Sequence, residues 1–194
     1  MNTHLFNNFI KNKWSIRVLL LITIIGVFLS SNLYAKTAKE IDTSVDAAIQ
    51  RFHEQVKGAK EFEKASKGML VMPNVFKGAF IIGGEYGEGA LRVGGKTVDY
   101  YNIISGSIGF QIGGQKKDII LFFMTDEALQ QFRASKGWET GVDGNVALFT
   151  VGGGERADTR TLKDPVVGFV FDAKGLIADV SLKGAKFSKV DKKE

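Results

Sequence analysis

Four lysines, Lys57, Lys60, Lys64 and Lys67, recur at +3, +7 and +10 from the first. At 3.6 residues per turn this spacing sets their ammonium groups on one side of a helix, provided that the helix runs through Gly58. Phe52, Phe62 and Ala65 are the apolar residues that go with them. A helix with a basic and an apolar side can lie on an anionic bilayer, and each lysine near such a surface adds about 1 kcal/mol. Glu61 and Glu63 partly offset the charge, as they would on an ordinary solvated face.

Other residue types that could do chemistry fall short of a site. Gly83 to Gly89 (GGEYGEG) has the glycine density of a phosphate loop. That chemistry needs backbone amides at a helix start and a lysine followed by Ser or Thr, whereas ALRVGG follows and reads as strand. The sequence contains no cysteine, so thiolate metal sites, thiol catalysis and disulfides are excluded. His53 stands beside the apolar stripe of a helix, and Asp42, Asp46 and Glu54 give it no ligand spacing. Ser105 and Ser107 lie in a strand pattern without a Gly-x-Ser-x-Gly elbow. Asp99 with Tyr100, or Glu85 with Glu88, could serve as acid and base, but surface carboxylates of this kind are far commoner. No catalytic residue, cofactor, metal or nucleotide is expected.

These side chains must be carried by an α+β chain. Thr43 with Asp46 reads as a capping box ahead of a helix whose stripe is Val45, Ala48, Ile49, Phe52 and Val56. Gly58 ends or kinks that helix, and Ala59 to Lys67 forms a second, stopped by Gly68. Met69 to Met72 is a strand closed by Pro73, and Asn74 to Lys77 a turn. From Gly78 to Gly114 lie 11 of the 23 glycines, set among β-branched and aromatic residues. Glycines so placed mark bulges, bends and close backbone approach, and predict a tightly curved antiparallel sheet. Within this stretch Gly78 to Gly83 and Ala90 to Gly94 are strands joined by the EYGEG loop, and Val98 to Ile112 is a longer strand. In the latter Ile104, Ile108, Phe110 and Ile112 face one way, and Ser105, Ser107 and Gly109 the other.

Gln115 to Asp118 is expected as a polar turn, and Ile119 to Met124 as a strand buried on both faces. Thr125 caps an inserted helix with Asp126 and Glu127 in its first turn, and Gly137 closes it. Val146 to Val151, Val166 to Phe171 and Leu176 to Leu182 complete the strands, the last two joined by an Asp172–Gly175 hairpin loop. The result is N-terminal helices followed by a curved antiparallel β-sandwich or barrel-like core with one inserted helix. The domain is expected over 44–188, after a flexible start at 36–43 and before a disordered charged tail at 189–194.

Residues 1–35 have the pattern of an export signal. Lys11, Lys13 and Arg17 precede an apolar run of 12 residues, Val18 to Leu29, and SSNLYA follows, with cleavage expected after Ala35. Twelve helical residues reach about 18 Å, short of the roughly 30 Å hydrocarbon core. This leader holds three basic and no acidic residues, so its removal takes the net charge from +5 to +2. The high overall pI is then weak evidence for nucleic acid as a partner. The expected product is periplasmic or extracellular, soluble or peripherally membrane-associated.

Four blocks carry a family resemblance: KGMLVMPNVFKGAFIIGGEYGEGALRVGG, TVDYYNIISGSIGFQIGGQKKDIILFFMTDEAL, WETGVDGNVALFTVGGG and DPVVGFVFDAKGLIADVSLKGAKF. Together they resemble the SYLF lipid-binding family over about Ser44 to Phe187, in its exported, stand-alone bacterial form without SH3 or FYVE domains. The resemblance implies lipid binding without catalysis, through the N-terminal helix and its basic residues, with anionic phospholipid or phosphoinositide-like head groups as the target, anionic glycerophospholipids ahead of the phosphoinositides that eukaryotic relatives bind. Actin binding, known among eukaryotic relatives, is not expected of an exported chain. The lipid-binding residues are then Lys57, Lys60, Lys64 and Lys67, with Phe62 and Tyr86 at the interface. The alternative is an envelope module that contacts a protein partner and no specific lipid, and an enzyme of unknown type is the third reading.

Overall fold

The computed structural model describes residues 36–78, 83–107, 115–151, 163–174 and 181–192. One mixed sheet of eight strands curls into a half-barrel, with helices on its two faces. The chain runs through helices α1 (Ala38–Gln55) and α2 (Ala59–Ala65), strands β1 (Gly68–Gly78), β2 (Gly83–Val93), β3 (Lys96–Ser107) and β4 (Gln115–Phe123), then helix α3 (Asp126–Ala134). It ends with β5 (Trp138–Glu139), β6 (Ala147–Thr150), β7 (Val166–Lys174) and β8 (Lys186–Val190). The strand order is β5-β8-β3-β2-β1-β4-β7-β6, and every pairing is antiparallel except β6 with β7. The expected α+β class with leading helices and one inserted helix is what the chain adopts.

The run Ile119 to Phe123 explains why the sheet has a core on each face. Ile119, Leu121 and Phe123 join Phe132 of α3, Trp138 and Phe187 in one apolar cluster. Ile120 and Phe122, pointing the other way, join Phe52 of α1, Phe62 of α2 and Phe169 in a second. Alternation at period 2 thus divides a continuous apolar run between two cores.

Helix α1 starts earlier than its expected cap. Thr37, not Thr43, is the N-cap: its hydroxyl accepts the Glu40 amide, and the Glu40 carboxylate accepts the Thr37 amide at 2.8 Å. The hydroxyl of Thr43 donates instead to the Lys39 carbonyl inside the helix. Residues 38–43, expected as a flexible start, therefore form the first turns of α1. Asp126 and Glu127 do open α3 behind the Thr125 cap.

Three expected turns or loops are strand. EYGEG is part of β2, because Gly87 and Gly89 let β1 pass close beside it. A Cβ on Gly87 would lie 2.8 Å from Val75 Cγ2, and the backbone bulge of β1 sits there. Asn74 to Lys77 is likewise no turn but the far side of that bulge, with Asn74 at φ 53° and its amide donating to Asp118 Oδ1 at 2.8 Å. Gln115 to Asp118 opens β4, and Lys117 and Asp118 are buried with partners instead of solvated. In β3 Ser105 shares the inner face with Tyr101 and Ile103 and is buried, whereas Ile104 is exposed. β7 runs on through Asp172 to Lys174. Lys189 and Val190, expected to fray, belong to β8, where Lys189 pairs with Asp99. The expected leader, the expected strand parts at 79–82, 108–112 and 176–180, the end of the Asp172–Gly175 hairpin loop and a glycine-rich loop that the sequence predicts over Gly152 to Gly154 lie outside the described residues.

Candidate functional site

The lysine stripe does not ride on one helix. Val56, the C-cap of α1, is extended, and Gly58 takes φ 85°, so the chain breaks and restarts as the seven-residue α2. Lys57 sits in the link, Lys60 and Lys64 on α2, and Lys67 just before β1; all four are exposed. Phe62 is core. It is 5% exposed and packs edge-on against Phe169 at 5.0 Å and beside Phe122 at 6.0 Å. With Ala59 also buried, α2 has no free apolar side to insert into lipid.

Two of the lysines reach a cleft of about 240 Å³ between α2, the start of β1 and the β2–β3 turn. Lys64, Lys67 and Arg92 bring positive charge to it, Glu63 a negative one and Ser66 a hydroxyl. Gly94 and Gly95, both at positive φ, form a bare wall, with no atom within 4 Å of where a Cβ would stand. Glu63 is engaged by His53 at 2.8 Å, and Lys67 lies 3.8 Å from Asp126 at the surface. Arg92 anchors the cleft to α1 through Asp46 at 2.8 Å and Asp42 at 3.5 Å, and it donates to the Gly95 carbonyl at 3.3 Å. Its Nε is buried with no partner among the described residues.

Tyr86 lies elsewhere, near the other end of β2, half exposed and donating its hydroxyl to Glu88 Oε1 at 3.0 Å. Desolvation, then this bond and the carboxylate charge, raise its pKa. Burial alone pushes Glu88 up. Hydrogen bonds from Lys192 and Tyr86, the Lys192 charge and the Lys36 amide outweigh it, and the carboxyl titrates below its ordinary value.

The residues marked for acid–base work are all tied into pairs. Asp99 is held by Arg133 at 3.0 Å and by Lys189, and Tyr100 donates to Asp42 at 2.9 Å. Glu85, nearly buried, pairs with Lys117 at 2.9 Å and faces Lys77 at 3.9 Å. Next to Asp99, burial and then the carboxylate charge push Tyr101 up to about 12, against the opposing charge of Arg133. Among the described residues no group of His, Asp or Glu is placed to hold a metal ion, and no helix is long and apolar enough to cross a membrane.

Sequence reasoning found Lys64 and Lys67 but missed Arg92 and the cleft, which exist only once β2 folds back beside α2. The one available signal was the Gly94–Gly95 pair beside an arginine.

No curated protein matches the chain. The Ysc84 family model, described as a Las17-binding protein actin regulator, matches residues 104–194, from the end of β3 onward. That family is linked to actin regulation and lipid binding, and its domain is a binding or regulatory one. The strands, helix and cores it covers share one sheet with the elements before them. Residues 104–194 are therefore similar to the Ysc84 (SYLF) family, over the C-terminal part of the chain.

Proposed function

We propose that this protein is an exported, non-catalytic domain that binds anionic phospholipid head groups at a membrane surface, outside the cytoplasm. The observation that carries the reading is the cleft where Lys64, Lys67 and Arg92 converge, flanked by exposed Lys57 and Lys60. At about 240 Å³ it is smaller than the usual 300–1,000 Å³ small-molecule pocket, and so suits a phosphate-bearing head group, not a whole lipid. The unpartnered Arg92 Nε and the bare Gly94–Gly95 wall offer such a group a donor and room. The family's link to lipid binding points the same way. Because Phe62 is core, binding here is electrostatic and does not rest on helix insertion.

Co-sedimentation of residues 36–194 with phosphatidylglycerol vesicles tests this. Binding is expected to weaken steeply from low to physiological salt as screening shortens, and to be absent on phosphatidylcholine. At about 1 kcal/mol per lysine, replacing Lys60, Lys64 and Lys67 by Gln should weaken it about 100-fold. Binding unchanged by that triple substitution would sink the proposal.

A further inference from the structure

Glu88 is a buried carboxylate whose partners come from far along the chain. It stands on β2 at 6% exposure, 52 positions from Lys36 and 104 from Lys192. Its Oε1 accepts the Lys192 ammonium at 2.6 Å and the Tyr86 hydroxyl at 3.0 Å. Its Oε2 has one partner among the described residues, the backbone N–H of Lys36 at 3.3 Å. Hydrogen bonds from a cation to a carboxylate run at about 2.7–2.9 Å. A neutral amide at the longer distance is a weak match for half of a buried charge.

That nitrogen is the atom whose chemistry leader removal changes. Cleavage after Ala35 converts the Lys36 amide into an α-ammonium, with three donors in place of one and a full positive charge. Folded structure already holds it in place. Thr37, next in the chain, caps α1, and its own amide donates to Glu40 at 2.8 Å. The new charge thus arises within bonding distance of Oε2, at the first residue of the compact unit Lys36–Glu194.

We propose that the α-ammonium created at Lys36 by leader removal binds Glu88, so that processing itself completes the fold and the leader-bearing precursor is the less stable form. This rests on the export reading above. The charged and titratable groups around the site are Glu88 and Tyr86 of β2, Lys192 after β8, Glu40 of α1 and the Lys36 side chain; β3 places the uncharged Asn102 opposite Glu88.

The test compares thermal melts of residues 36–194 with those of residues 30–194. Both carry one α-ammonium, but the longer chain keeps an amide at Lys36. At pH 7 the shorter chain should melt at least about 3 °C higher. Pairing raises the pKa of an ammonium, so this advantage should be full below about pH 8, the ordinary α-amino value, and fade as pH rises through the higher folded value. Tyr86 and Lys192 titrate in both chains and drop out of the difference. Glu88→Gln in both chains should abolish it; where that variant does not fold, the pH series on the unsubstituted pair decides. Equal melts at pH 7, or an advantage that survives Glu88→Gln or persists unchanged at high pH, overturn the proposal and leave the export reading standing. Mass spectrometry of the full chain after expression tests that reading separately, with Lys36 expected as the first residue of protein recovered outside the cytoplasm. A chain that stays inside with its leader uncut overturns both, and export with a different first residue overturns the processing device alone.

Discussion

Gly89 of β2 lies against Val71 of β1 so closely that a Cβ on the glycine would stand 1.9 Å from the Val71 carbonyl oxygen. Met72 Cα would be 2.9 Å away, so backbone on the partner strand, and not a side chain that could rotate aside, fills the space. Gly89→Ala should therefore cost more than about 4 kcal/mol, in the range reserved for a few severe mechanisms. Gly106→Ala, with no atom within 4 Å of the new methyl and no left-handed backbone, should change stability by less than about 0.5 kcal/mol. Paired urea melts measure both, and equal effects would refute the close-approach account of these glycines.

The helix start offers a second comparison. Thr37→Ala removes the cap of α1 and should cost about 1 kcal/mol. Thr43→Ala, although it alters the more obvious sequence signal, should cost less than about 0.5 kcal/mol, since that hydroxyl only bonds back within the helix. A larger loss at Thr43 would contradict the observed helix boundary.

Phe62 separates core from interface. Phe62→Ala should destabilise by about 3–5 kcal/mol through the cavity left between Phe122 and Phe169. Tyr86→Ser loses one partly exposed hydrogen bond and should cost about 1 kcal/mol. Thermal melts distinguish the two residues; a Phe62→Ala protein as stable as wild type would return Phe62 to the surface.

Acid should act through Glu88. Its pKa is lower folded than unfolded, so its pairing stabilises the protein fully above the unfolded carboxylate value. That contribution is lost as pH falls through the folded value. Lys192→Met should cost about 3 kcal/mol at neutral pH, the low end for a broken buried pair because Tyr86 and Lys36 still donate. The deficit should shrink as pH falls through the carboxylate range, because a protonated Glu88 no longer needs the ammonium. Melting temperatures between about pH 3 and 7 test it, and parallel curves for the two proteins would refute it.

Class and element order were legible because they depend on local pattern: the stripe of α1, the caps of α3, the doubly buried β4. What escaped depends on pairing between distant segments. EYGEG has the composition of a loop, and only the bulge of β1 alongside it explains glycines within a strand. Lys117 and Asp118 look like a polar turn until Glu85 and Arg51 are brought to them. The lysine spacing presupposes one helix running through Gly58, but an extended Val56 and a left-handed Gly58 undo a helical periodicity that counting alone preserves. The meeting of Lys36 and Lys192 at Glu88 was invisible because those residues stand 52 and 104 positions from the carboxylate.

The carboxylate of Glu88 holds both ends of the described domain at once. Its Oε2 accepts the Lys36 amide at 3.3 Å and its Oε1 the Lys192 ammonium at 2.6 Å. Residues 36 and 192 are therefore close enough for a linker of a few residues to splice them, making the fold a candidate for circular permutation. New termini placed at Val142, 74% exposed in the turn after β5, would leave every sheet pairing intact. Such a permutant should fold and melt cooperatively, and it would free the surroundings of Tyr86 from any chain extension attached to the natural ends.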